Sequence, residues 1–160
     1  MPKRRPHPPA PREVTLGTEL RPGDIGRLVA LHGVLYAREH GWDRTFEAYV
    51  AGPLSELVRR ASPRERVWIA RRAGRIVGCV AVATASTRVA QLRWFLVVPA
   101  ARGAGLGRRL LREALAFCRA SGSRSAILWT VRALTAAAHL YREAGFQKVE
   151  EKYERKLRPR

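Results

Sequence analysis

Between Val97 and Leu111 the chain reads VVPAARGAGLGRRLL: an apolar run, glycines at 103, 105 and 107, then a basic segment with leucines at helical spacing. A β-branched run that stops in a glycine cluster and resumes with a 3.6-residue period is a strand, a tight turn and a helix in direct succession. Glycines at such a turn let backbone N–H groups point outward at the positive end of the helix dipole, with no side chains in the way of an anion. The unit therefore reads as a phosphate cradle. It is not a Walker A loop, because no Gly-Lys-Ser/Thr follows. Nor is it a dinucleotide fingerprint, because position 108 is arginine and the ribose-binding acid expected about 20 residues later is absent.

The hydrophobic periods on either side supply the remaining elements. EVTLGTEL offers a short first strand. RPGDIGRLVALHGVLYAREHG opens with Pro22 and Asp24, which favour helix starts, spaces Ile25, Leu28, Leu31, Leu35 and Tyr36 as one helix face, and closes at Gly41. DRTFEAYVAGPLSELVRR repeats the pattern with Asp43 as N-cap, and Gly52-Pro53 is expected to break or kink it, giving one helix or two. RVWIARRAGRIVGCVAVATA then alternates around Ala73-Gly74, a hairpin signal, and VAQLRWFLVV is a third strand of an antiparallel meander. Beyond the glycines, Leu106, Leu110, Leu111, Ala114, Leu115 and Cys118 share one helix face, SAILWTV is a buried strand, and LTAAAHLYREAG is a helix ending at Gly145. The expected order is β, α, α, β, β, β, α, β, α, β, without an internal repeat.

Length and composition limit the function classes. A chain of 160 residues that is 46% hydrophobic builds one domain with a sizeable core. We expect it over residues 13–152. Residues 1–12, with Lys3, Arg4, Arg5 and Arg12 among prolines, read as a disordered basic tail, and residues 153–160 as a charged one. No apolar run is long enough to cross a membrane, and the N-terminus lacks the apolar core of a secretory signal, so the reading is cytoplasmic. Cys79 and Cys118 match no zinc spacing and read as buried thiols, with no metal expected. The net charge of +18, from 27 arginines and 4 lysines, attracts polyanions. It is spread along the chain without a recognition motif, so nucleic acid is a less favoured partner.

Arg102-x-x-Gly105-x-Gly107 after a strand ending in LVVP, followed by AAAHLYREAGF from Ala136 to Phe146, resembles the GNAT superfamily of acetyl-CoA-dependent N-acetyltransferases. Residues 21–51 look like the acetyltransferase half of proteins that fuse a MarR-type winged-helix regulator to a GNAT domain. The resemblance implies an α+β (α/β) fold with a mixed central sheet flanked by helices. It implies that backbone groups of Phe95, Leu96 and Val97 bind the pantetheine arm of acetyl-CoA, and that the amides of Gly103, Ala104, Gly105, Leu106, Gly107 and Arg108 bind its pyrophosphate. Arg102 and Arg108 would add charge-assisted contacts, and Tyr141 would protonate the departing thiolate.

The acetyl group would pass directly to a primary amine, whose proton must go somewhere because alkylamines with a pKa of about 10 are protonated at neutral pH. No Asp or Glu stands between Arg66 and Arg112. The candidate bases are Glu39 and Glu47, with Asp43, His32 and His40 beside them, or a water chain. Two departures from the family pattern stand out. Ala133 replaces a common asparagine, and the C-terminus EEKYERKLRPR is too charged for the closing strand, which makes a strand-sharing homodimer an expectation. The competing reading is a catalytically decayed module that acts through its basic surface on nucleic acid or a regulator. The intact glycine turn and Tyr141 favour the enzyme. The sequence does not choose the amine acceptor.

Overall fold

The computed structural model describes residues 13–131 and 134–148. The two tails, Ala133 and the segment where a closing strand was in question lie outside the described residues. Five strands form one sheet in the order β1 (Val14–Gly17), β2 (Arg66–Arg72), β3 (Arg75–Thr84), β4 (Val89–Val97) and β5 (Ser125–Leu128). The first four pair antiparallel, and β5 lies parallel to β4. Helices α1 (Asp24–His40) and α2 (Arg44–Arg60) connect β1 to β2, α3 (Leu106–Ala120) connects β4 to β5, and α4 (Thr135–Glu143) follows β5. The mixed sheet and flanking helices agree with the expected α+β class, and these nine elements follow the expected order.

Alternation along the strands divides the core. Val67 and Ile69 of β2, with Cys79, Ala81 and Leu96, meet Leu28 and Leu35 of α1 and Leu54 and Leu57 of α2. Trp68, Val80, Val82 and Leu92 project the other way, onto Leu106, Leu110, Leu111, Ala114 and Cys118 of α3. The central strand β3 is buried on both faces, so it reads as a continuous apolar run. Asp24 pins α1 to β2: fully buried, it accepts from Arg71 at 3.2 Å and from the Arg21 N–H at 2.6 Å. Burial alone would raise its carboxyl pKa, but those hydrogen bonds, with the charge of Arg71 and Arg27, hold it below the ordinary value.

Three details differ from the sequence reading or decide between its alternatives. α2 is a single helix that runs through Gly52-Pro53. Val50, Leu54 and Leu57 bury one stripe across the proline, and Gly52 lacks the Cβ that would clash with the proline ring. The strand expected over SAILWTV stops at Leu128 and is only partly buried, because Trp129 and Thr130 leave the sheet. The tenth element has no counterpart among the described residues, where Phe146 to Lys148 carry no regular structure.

Candidate functional site

The site begins where β4 loses its regular neighbours. Cys79 pairs with Leu96 and Ala81 with Arg93, so Val80 of β3 faces both Trp94 and Phe95, a β-bulge. Trp94 sits at φ +48°, a left-handed conformation that costs a non-glycine residue roughly 1–2 kcal/mol and that folds retain mostly at functional places. On the other side, β5 pairs with β4 only as far as Leu92, so among the described residues β4 runs on from Arg93 to Val97 beside a gap. The Val98 N–H bonds to Val77 on β3, which turns the Val97 carbonyl the opposite way, toward the gap. There it accepts from Arg102 Nε at 2.9 Å. Phe95, Leu96 and Val97 thus lie on the stretch of β4 that β5 leaves uncovered.

Beyond a short 3₁₀ turn, Pro99–Ala101, the chain enters the glycine segment. Gly103 and Gly105 hold φ of +81° and +80°, and a Cβ on either would meet only open space. Gly105 caps α3 without a side-chain hydrogen bond, and among the described residues none of the amides from Gly103 to Arg108 has a hydrogen-bond acceptor. Six N–H groups at one helix start can receive an anion through backbone alone. Gly107 is there for another reason: a Cβ would strike Leu140 at 2.9 Å and Phe95 at 3.2 Å, so it lets α3 close onto α4 and β4.

The two arginines of this segment are engaged by protein carboxylates. Arg102 grips Glu39 of α1 at 2.9 and 3.2 Å, and Arg108 grips Glu143 of α4 at 2.8 and 3.2 Å. Tyr141 packs half-buried against Phe95, ring centroids 5.8 Å apart. Burial, with the nearby phenol of Tyr36, pushes its pKa far up, so the hydroxyl keeps its proton at neutral pH.

Across the gap lies a cleft between α1, α2 and the ends of β4 and β5. Tyr36, Trp42 and Phe46 form one cluster, with Tyr36 at 4.5 Å from Phe46 and 5.1 Å from Trp42, and Tyr49 extends it. Trp94 and Trp129 face them, and His32 also lines the cleft. His32 is 2% exposed. Its Nδ1 sits 2.8 Å from the Leu28 carbonyl and donates to it, while Nε2 makes no hydrogen bond, with the Trp94 carbonyl beside it. Burial pushes the imidazole below its ordinary pKa against the pull of both carbonyls, so it is neutral at pH 7. Two further buried polar atoms without partners, Trp94 Nε1 and Thr130 Oγ1, belong to residues that line the same cleft.

The carboxylates singled out from the sequence do not line it. Glu39 is held by Arg102. Glu47 packs so closely on α1 that a Cβ at Gly33 would collide with its carboxylate. Asp43 caps α2 by accepting from the Thr45 N–H at 2.8 Å, and this bond and the Thr45 hydroxyl keep its pKa low. His40 lies tilted against the rings of Tyr36 and Trp42. Both cysteines are buried, and burial lifts the Cys79 thiol to about 12 while its Sγ donates to the Trp94 carbonyl. Neither is an available nucleophile. No group of three metal-ligating side chains occurs among the described residues, and no described helix is long and apolar enough to cross a membrane.

Among the described residues the one formal charge on the cleft wall is Arg93, stacked on Trp94 at 4.6 Å and 5.8 Å from the Tyr49 ring. A cationic ligand about 5 Å from that guanidinium meets roughly 3 kcal/mol of repulsion at an effective dielectric of 20. A ring face returns about 1–2 kcal/mol, so the charge wins. Sequence reading does not single out Trp42, Phe46, Tyr49, Arg93, Trp94 or Trp129. The signal present was an aromatic at 42, 46 and 49, one helical face that ordinary core packing also explains.

The profile of the acetyltransferase (GNAT) family matches residues 33–146. A curated relative, the IAA acetyltransferase of Azospirillum brasilense, is 36% identical over 58% of this chain, and the match spans 61% of that protein's length. The crystal structure of an acetyltransferase from Streptococcus agalactiae superposes with a TM-score of 0.75 at 23% identity, covering 88% of this chain and 87% of that one. An acetyltransferase structure from Clostridium acetobutylicum with acetyl-CoA superposes at 0.70 and 16% identity, covering 87% of this chain and 93% of that one. These two likenesses concern the fold.

Proposed function

The chain belongs to the acetyltransferase (GNAT) family, and from that premise we propose that it is an N-acetyltransferase carrying an acetyl group from acetyl-CoA directly to a primary amine. The observation that carries the proposal is the meeting of an uncovered stretch of β4, bulged at Trp94, with six unclaimed amides at the start of α3. The fit is chemical. Open space over Gly103 and Gly105 admits a pyrophosphate, and the N–H groups match its charge. Acetyl-CoA supplies an activated thioester. Phe95, Leu96 and Val97 receive the pantetheine arm, and Gly103, Ala104, Gly105, Leu106, Gly107 and Arg108 receive the diphosphate through their amides. Arg102 and Arg108 act as braces that tie the cradle to α1 and α4 through Glu39 and Glu143.

In the chemistry we propose, His32 takes the amine proton. Its Nε2 has no hydrogen-bond partner where His32 lines the cleft, and a proton arriving there is shared with the Trp94 carbonyl. Glu39 and Glu47 then serve as supports rather than bases. Tyr141, held protonated by burial, gives its proton to the departing thiolate. Within the family we propose kinship with the acetyltransferase half of MarR-type fusions, residence in the cytoplasm, and a dimer built on the edge of β5. A monomer at micromolar concentration in sedimentation would contradict the dimer.

The activity is tested by following release of the CoA thiol from acetyl-CoA with a panel of primary amines. Amine-dependent release, with acetylated product found by mass spectrometry, is expected. Release that ignores the amine, or none across the panel, contradicts the proposal. Duplex DNA bound below micromolar at physiological salt by a chain without residues 1–12 would favour the decayed module instead.

A further inference from the structure

The acceptor cleft is built for a particular kind of amine. Its walls are aromatic, and among the described residues no Asp or Glu lines it and its one formal charge is the guanidinium of Arg93. Arg93 has no carboxylate partner among the described residues, lying over Trp94 and Tyr49 instead. Two of the largest exposed apolar side chains of the described part, Tyr49 and Trp129, also line the cleft. Exposed rings beside an unpaired guanidinium are surface that a soluble protein ordinarily hides, and they suit a ligand with a flat body and an anionic group. The partnerless buried atoms His32 Nε2, Trp94 Nε1 and Thr130 Oγ1 belong to the same walls, and buried polar atoms without partners are uncommon unless a ligand or water completes them.

Resting on the acetyltransferase reading, we infer that the acceptor is a small amine that also carries a carboxylate and an aromatic ring, the free aromatic amino acids being its simplest members. Arg93 takes the carboxylate, the rings of Tyr49 and Trp129 flank the side chain, and the amine reaches His32 at the bulge. Among the described residues polyamines and aminoglycosides find no countercharge here and meet Arg93 as a like charge.

The test compares L-phenylalanine and L-tryptophan with phenethylamine, tryptamine and spermidine, using the full chain and saturating acetyl-CoA. The amino acids are expected to show kcat/KM at least tenfold above their decarboxylated analogues, with spermidine lowest. Arg93→Gln should collapse that ratio to near one, chiefly through KM, and Arg93→Lys should retain part of it, with folding of each variant checked by its Tm. A preference for amines without a carboxylate, or an unchanged ratio in Arg93→Gln, overturns the inference. Calorimetry keeps the two readings apart. Acetyl-CoA binding without turnover or binding of either amino acid removes this inference alone, whereas amino-acid binding without acetyl-CoA binding removes the acetyltransferase reading and leaves the ligand class standing.

Discussion

The glycine segment from Arg102 to Arg108 and the aromatic cleft around Tyr36 meet at the uncovered stretch of β4, yet they are made of different material. The first presents backbone amides, fixed by two left-handed glycines and the start of α3. The second presents side chains drawn from α1, α2, β4 and the segment after β5. A backbone cradle tolerates variation at its non-glycine positions, while a side-chain cleft changes its ligand with each substitution. On the proposed reading, the difference teaches where a shared cosubstrate and a private acceptor are each encoded.

Substitutions that strike one region and spare the other sharpen this contrast. The largest effect belongs to His32→Gln, which removes the proposed proton acceptor: kcat should fall by about 10²–10⁴ while acetyl-CoA affinity, read by calorimetry, stays within a few fold. An equal loss of acetyl-CoA affinity would show that the cleft and cradle are not separable. Tyr141→Phe keeps the ring against Phe95 and removes only the hydroxyl. We expect kcat to drop roughly tenfold or more, with the loss confined to acyl transfer from CoA and KM for the amine little changed.

Smaller in its reach on catalysis, but felt by both regions, is the scaffold. Asp24→Ala leaves Arg71 partly buried without its carboxylate and should cost about 3–5 kcal/mol in denaturant unfolding. The pH dependence follows from the same buried groups. The His32 pKa is depressed in the fold, so its contribution is complete above the unfolded value of about 6.5 and is lost as pH falls below it. The depressed Asp24 pKa acts in the same direction lower down, below an unfolded value of about 3.9. Unfolding midpoints should therefore hold near neutrality and decline in two stages on acidification, the upper stage vanishing in His32→Gln.

The contrast also explains what could be read in advance. The meander, the glycine turn and the apolar face of α3 were legible because period and turn chemistry are local properties. Gly103 and Gly105 announced the sharp turn ahead of α3 for the same reason. The end of β5 at Leu128 was not legible: SAILWTV is uniformly apolar, and only its parting from β4 turns Trp129 into cleft lining. The unbroken α2 depended on packing across Pro53 that no local rule contains. The bulge at Trp94 arises from pairing between β3 and β4, and the pairing of Glu39 with Arg102 joins residues distant in sequence. His32 looked like one polar residue on a helix face until burial showed its Nε2 without a partner.

The central claim is that the backbone cradle holds acetyl-CoA, and calorimetry of acetyl-CoA with the native chain, Gly105→Ala and Gly105→Glu tests it most directly. Both variants share the strain of a side chain at φ +80°, but only glutamate brings a carboxylate to the cradle. The account predicts micromolar binding by the native chain, a modest loss in Gly105→Ala and a loss of at least a hundredfold in Gly105→Glu. Absence of binding to the native chain, or equal binding by Gly105→Glu, would contradict it.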